Sequence, residues 1–175
     1  DSLTSFLTSH VSKIINKFTI YQNNVRGFNN YDYFCEWKAL INLLPFSVDI
    51  IVLSEVKLKP TVNLGIYQLK GYALHACLRN SKTSKGGLLV YVRETLDHQV
   101  ESSSTTFETA TISLIINSCK LHIIACYRPP DPSNLNEFLL AIEDSIFKCR
   151  QNILLVGDIN IDKNASTRES QKYLS

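Results

Sequence analysis

Four short apolar runs in this chain end in polar residues that chemistry can use. Phe18–Gln22 closes on Asn23 and Asn24, and Ile50–Leu53 on Ser54 and Glu55. Leu121–Cys126 closes on Tyr127 and Arg128, and Ile153–Val156 on Gly157, Asp158 and Asn160. Runs of this length, rich in Ile, Val, Leu and Phe, predict buried strands. The carboxyl ends of such strands lie along one rim of a sheet, where α/β proteins commonly keep their ligand sites. If the four ends share a rim, two carboxylates, two or three amides and a phenol converge. That donor set suits a hard divalent cation and a phosphate ester.

The rest of the pattern fills in around these runs. Leu3, Phe6, Leu7, Val11, Ile14, Ile15 and Phe18 recur at helical spacing, which predicts an amphipathic leader over 1–17 ahead of a domain over 18–175. Phe34, Trp37, Leu40, Ile41 and Leu44 predict a helix that Pro45 ends, so the opening reads β-α-β. Tyr72–Leu78, Leu88–Val92, Thr109–Ile116 and Lys120–Tyr127 are further strand candidates, with Asn117-Ser118 as a tight hairpin turn between the last two. Leu135, Phe138, Leu139, Ile142, Ile146 and Phe147 mark the apolar face of a second helix, and Asn134 with Glu137 forms a candidate capping box at its start.

Composition narrows the class. With 175 residues, 45% of them hydrophobic and 19% charged, the chain has enough apolar material for one globular core. A formal net charge of +2 neither requires nor opposes a polyanionic partner. Five cysteines, an odd number with no CxxC or Cys/His cluster, argue against a disulfide framework or zinc site and for a reducing compartment. No apolar run approaches the ~20 residues of a membrane span, and no secretory signal layout is present. The chain contains no methionine and starts at Asp1, so it reads as a piece of a longer product.

Each candidate residue has a functional and a purely structural reading. In Val-Gly-Asp-Ile-Asn, Gly157 would let the backbone turn as it leaves the sheet, and alternation would put Asp158 and Asn160 on one side. Asp158 can orient or deprotonate a water and Asn160 can donate to a phosphate oxygen, although Asp and Asn are also simple turn formers. Glu55 ends an apolar strand, where a carboxylate is costly unless paired or metal-bound; the partner would be Mg²⁺ or Lys57 or Lys59. Of Asn23 and Asn24, only one can face a site. Tyr127 can hold a phosphate oxygen, or ionise if cations lower its pKa, and Arg128 can clamp a phosphate. Arg79, Lys82 and Lys85 lie in a polar loop before Gly86-Gly87, either solvated or tracking a nucleic-acid backbone. The histidines His10, His75, His98 and His122 show no paired spacing and receive no role.

Taken in order, Gln22-Asn23-Asn24-Val25-Arg26-Gly27, Leu53-Ser54-Glu55-Val56-Lys57-Leu58 and Gly86-Gly87-Leu88-Leu89-Val90-Tyr91-Val92-Arg93 resemble the endonuclease/exonuclease/phosphatase superfamily. Ile124-Ala125-Cys126-Tyr127-Arg128-Pro129-Pro130 and Leu155-Val156-Gly157-Asp158-Ile159-Asn160 continue the resemblance, most closely to the apurinic-type endonuclease domain of LINE-like (non-LTR) retrotransposons. The resemblance implies a four-layered α/β sandwich of two mixed β-sheets flanked by helices, incomplete at the C-terminus. It also implies hydrolysis of a DNA phosphodiester with Mg²⁺, or Mn²⁺ in its place. Glu55 would hold the metal with help from Asn24, and Asp158 would activate the attacking water. Asn160 would position Asp158 or the phosphate, and Tyr127 would contact the phosphate or leaving group. Double-stranded DNA would be the partner, with action in the nucleus and no membrane. The chain would be part of a polyprotein with a reverse transcriptase, for which the nick supplies a 3′-hydroxyl.

The chain also departs from the family pattern. The family's later Ser-Asp-His segment is missing, and no His follows Asp158, so these residues alone are expected to be weakly active or inactive. Two other readings share the same carboxylates: a same-fold phosphoesterase acting on a different ester, and a non-catalytic remnant that binds DNA.

Overall fold

A computed structural model describes residues 18–28, 30–79, 85–130 and 135–161. The leader over 1–17, Lys82, the Asn134 cap and the polar tail fall outside these residues. Among the described residues there are eight strands and two α-helices. In chain order they are β1 (Ile20–Asn24), α1 (Tyr31–Asn42), β2 (Ile50–Ser54), β3 (Tyr72–Cys77) and β4 (Leu88–Arg93). Then come β5 (His98–Ser104), β6 (Thr109–Ile116), β7 (Cys119–Tyr127), α2 (Leu135–Cys149) and β8 (Ile153–Asp158). The strands form two mixed sheets, β1-β2-β4-β3 and β5-β6-β7-β8. In each sheet one pair is parallel: β1 with β2, and β7 with β8.

Alternation along the strands divides the apolar residues among three cores. Ile50, Val52, Val90 and Val92 of the first sheet meet Ala110, Ile112, Ile123 and Ala125 of the second, filling the space between the sheets. On the outer face of the first sheet, Ile51, Leu53, Leu89 and Tyr91 pack against Phe34 and Trp37 of α1. On the outer face of the second, Ile124 and Cys126 pack against Phe138 and Ile142 of α2. The layers are therefore α/β/β/α, the four-layered α/β sandwich expected from the sequence. No helix among the described residues is long and apolar enough to cross a membrane.

Several local expectations change. Strand β5, His-Gln-Val-Glu-Ser-Ser-Ser, is mostly exposed at a sheet edge, carries a bulge between Val100 and Ser102, and gives little hydrophobic pattern to read. Strands β1 and β8 run on through their polar ends, because the ladder follows the partner strand; Asn24 pairs with Ser54 and Asp158 with Tyr127. Gly157 is thus not a turn residue. It lies inside β8 opposite Cys126, and a Cβ there would sit 1.8 Å from the Cys126 carbonyl oxygen. In α2, Ile146 and Phe147 belong to the exposed side (Phe147 is 81% exposed), while Cys149 is buried in their place. Asn117 and Ser118 both adopt left-handed backbone, φ 50° and 64°, as the two-residue hairpin between β6 and β7 requires.

The histidines do pair in space. His98 donates from Nδ1 to the Leu96 carbonyl at 3.0 Å, which leaves its Nε2 to accept from Nε2–H of His75 at 3.0 Å. This contact joins the edge strands β3 and β5 of the two sheets. Burial, and then the neighbouring His98, lower the His75 pKa from its usual 6.5.

Two outcomes test this packing. Gly157→Ala is expected to lower unfolding free energy by at least about 2 kcal/mol, because backbone cannot yield as a side chain does. In urea titration a loss below half that value would show that β7 and β8 separate easily. Because the folded chain holds the His75 proton less tightly than the unfolded chain, stability is full above pH ~6.5 and falls as pH drops below it. Thermal midpoints between about pH 7.5 and 5.5 should show that fall, and His75→Gln should flatten it.

Candidate active site

The rim is built by the two parallel strand pairs. Asn24 and Ser54 end β1 and β2 side by side, and Tyr127 and Asp158 end β7 and β8 side by side. With the sheets stacked, β8 packs across from β1 and β2. Asn24 then donates from Nδ2 to Asp158 Oδ2 at 2.7 Å, a bond between residues 134 apart in sequence. The Asn160 backbone N–H donates to Asp158 Oδ1 at 3.0 Å, so each carboxylate oxygen accepts one N–H. Asn24 Oδ1 accepts from the Arg26 N–H at 3.0 Å. Asn23 turns the other way and donates to the Tyr21 hydroxyl at 2.9 Å.

Glu55 follows β2 in left-handed backbone, φ 58°, as does Lys57, φ 55°. This unusual geometry is fixed from the next strand. The Val56 N–H donates to the Gly87 carbonyl at 3.2 Å and the Lys57 N–H to the Gly86 carbonyl at 2.7 Å. The structural partner expected for Glu55 is present but loose: Lys57 Nζ is 3.7 Å from Oε1, and it donates to the Arg26 carbonyl at 2.8 Å. Glu55, Tyr127, Arg79, Lys85 and Pro129 line a cleft of about 580 Å³. Along the same rim, Asn23, Asn24, Asp158 and Asn160 line a second cleft of about 650 Å³.

Tyr127 is buried at the junction. Burial raises its pKa first, and the Glu55, Glu108 and Asp158 carboxylates add to the effect, pushing it up to about 12. The phenol is therefore a neutral hydroxyl, not a phenolate, with negative charge on several sides. Asn160 takes left-handed backbone, φ 49°, and donates from Nδ2 to the Arg128 carbonyl at 2.7 Å. It thus positions Asp158 through its backbone N–H, not its side chain.

Arg128 does not fit the reading as a phosphate clamp. Its side chain is turned inward and only 1% of the residue is exposed. Nε donates to the Ile159 carbonyl at 2.8 Å and an Nη donates to the Asn160 carbonyl at 2.9 Å. These carbonyls leave the sheet after β8 and have no ladder partner, so a five-donor side chain is recruited to them. Arg79 is not simply solvated either; an Nη lies 3.0 Å from Glu108 Oε2. Lys85 is exposed at the cleft.

Glu108 was missed in the sequence. A signal was there: a lone acidic residue directly before a strand whose first six residues are buried, with no Lys or Arg between Arg93 and Lys120. Burial raises its pKa, opposed by the Gly87 N–H and by Arg79. Among the described residues, one group of three His, Cys or carboxylate ligand atoms lies within 4.8 Å of one another: Glu101, His122 and Cys149. It sits near the start of β7, away from the rim, and Lys120 already neutralises Glu101 at 2.6 Å.

Solved structures share this architecture. The endonuclease domain of TRAS1, a telomere-specific non-LTR retrotransposon, is similar with a TM-score of 0.66 and 12% identity, over 89% of this chain and 68% of that one. A humanized D. rerio TDP2 gives 0.61 and 13% identity, over 88% and 69%. The Xenopus laevis APE2 catalytic domain gives 0.58 and 13% identity, over 89% and 66%. No curated protein matches the chain significantly. At these identities the likeness establishes the fold alone. Residues 22–173, most of the chain, match the Endonuclease/Exonuclease/phosphatase family, and the chain belongs to that family of hydrolytic nucleases and phosphoesterases.

Proposed function

We propose that this chain is a Mg²⁺-dependent endonuclease domain of retrotransposon type that nicks double-stranded DNA in the nucleus, alongside a reverse transcriptase. The observation that supports the reading is the Asn24–Asp158 hydrogen bond across the two sheets, with Glu55 and Tyr127 lining the neighbouring cleft on the same rim. Glu55 has only a loose partner, Lys57 at 3.7 Å, and Asp158 only neutral N–H groups, so a divalent cation would relieve their charge. All the donors are oxygens, as a hard cation prefers. The Ser54 hydroxyl, fully buried at the same strand end, has no hydrogen-bond partner among the described residues. The residues therefore fit Mg²⁺, with Mn²⁺ as a substitute, which Glu55 would hold with help from the amide oxygen of Asn24. Bound there, the metal supplies neutralisation of the charge that develops on the phosphate and leaving oxygen.

The side chains have separable roles. Asp158, fixed by the Asn24 and Asn160 N–H groups, keeps lone pairs free to orient a water and take its proton. Tyr127 donates a hydrogen bond from its neutral hydroxyl to a phosphate oxygen. Arg79 and Lys85 set positive charge beside an otherwise acidic cleft, where the DNA backbone would lie. No histidine follows Asp158 in the sequence, and none of the three described histidines borders either cleft. Nicking by these 175 residues is accordingly expected to be slow.

The test is relaxation of supercoiled plasmid with Mg²⁺, Mn²⁺ or chelator. Slow nicking that chelator abolishes is expected, with Glu55→Ala and Asp158→Asn each lowering the rate about 10²–10³-fold. Nicking that is indifferent to Glu55→Ala would refute the proposal. Lys85→Ala is expected to reduce the slope of log affinity for duplex DNA against log salt by about one. Arg128→Met should leave that slope unchanged and instead lower the thermal midpoint, because it strands the half-buried Ile159 and Asn160 carbonyls.

A further inference from the structure

Glu108 has no place in the chemistry above, yet its carboxylate is the most completely enclosed charge near the rim, with the side chain 0% exposed. An unpaired buried carboxylate is expensive, and a paired one is often no more stable than a neutral residue of the same size. What this carboxylate touches is therefore informative. Oε1 accepts the Gly87 N–H at 2.8 Å and Oε2 accepts from Arg79 at 3.0 Å. A Cβ on Gly86 would lie 2.2 Å from Oε1, so the Gly86-Gly87 turn is moulded onto the carboxylate. Carbonyls of that same turn hold the N–H groups of Val56 and Lys57, the two residues that follow Glu55 in its left-handed backbone. The main-chain carbonyl of Glu108 accepts the Tyr127 N–H at 3.0 Å.

We propose that Glu108 is a positioning residue for the rim, aiming Glu55 through the Gly86-Gly87 turn and Arg79 through a direct ion pair. The inference rests on the endonuclease reading, since it concerns the cation-holding and phosphate-facing groups of that site. Only a carboxylate satisfies both demands. A glutamine can still accept from Gly87, but its amide NH₂ then faces the Arg79 guanidinium.

Mn²⁺ binding, followed by electron paramagnetic resonance on the purified chain, tests this independently of turnover. Unmodified chain is expected to bind Mn²⁺ and Glu55→Ala to lose it. Glu108→Gln should weaken Mn²⁺ affinity about tenfold, the usual scale for groups that orient metal ligands. Its metal-free thermal midpoint is expected to fall, because the Arg79 guanidinium loses its carboxylate partner, so Mn²⁺ affinity is the deciding readout. Arg79→Met should weaken binding to duplex DNA in the unmodified background and add nothing in the Glu108→Gln background. A Glu108→Gln chain with a lowered midpoint but undiminished Mn²⁺ affinity would mark the residue as merely structural and overturn the inference, leaving the endonuclease reading intact. Absence of Glu55-dependent Mn²⁺ binding in the unmodified chain would overturn both. If Glu108→Gln does not fold, Glu108→Asp keeps the charge but shortens the reach. The same tenfold loss is expected of it, and full affinity would again overturn the inference.

Discussion

The rim exists because two parallel strand pairs, one in each sheet, stop at the same level. Parallel pairing sets β1 beside β2 and β7 beside β8, and stacking brings the four ends together. The Asn24–Asp158 hydrogen bond closes the gap between the sheets. If β8 were shifted by one residue, Asp158 would turn to the opposite face and the bond would be lost. Gly157 guards that register, since its missing side chain lets β8 lie against the Cys126 carbonyl.

Charge around the rim is arranged in two shells. Inside lie Glu55, Asp158 and the buried Glu108, all sensed by Tyr127. Outside lie Lys57, Arg79 and Lys85 along the same cleft. An acidic centre within a basic border attracts a cation to the middle and a polyanion to the edge, so two such ligands need not compete for the same groups. Arg128, the remaining rim arginine of the motif, is withheld from this border and serves the backbone.

Much of this was legible in the sequence, for identifiable reasons. Strands β2, β4, β6 and β7 are covered on both faces for most of their length, so their apolar runs are nearly continuous and easy to read. Glu55 and Tyr127 were legible as candidates because each ends such a run, and Asn24 and Asp158 because they end the shorter, less buried runs of β1 and β8. What escaped depends on partners distant in sequence. Strand β5 is polar because it covers an edge, Gly157 is demanded by a neighbouring strand, and His75 meets His98 across two sheets. Arg128 was misread because side-chain direction is decided by which carbonyls lack a donor, and those belong to residues 31 and 32 positions away. Glu108 escaped because its partners, Arg79 and Gly87, lie 29 and 21 positions away.

The separation of 134 residues across the Asn24–Asp158 bond has a kinetic consequence. Closing so long a loop costs entropy that local contacts cannot offset, so this contact belongs to the late stages of chain organisation. Each sheet can zip up largely from nearer neighbours, whereas the reactive centre waits for the two halves to meet. A nascent or half-assembled chain therefore lacks the joined strand ends, which come together only with the finished architecture.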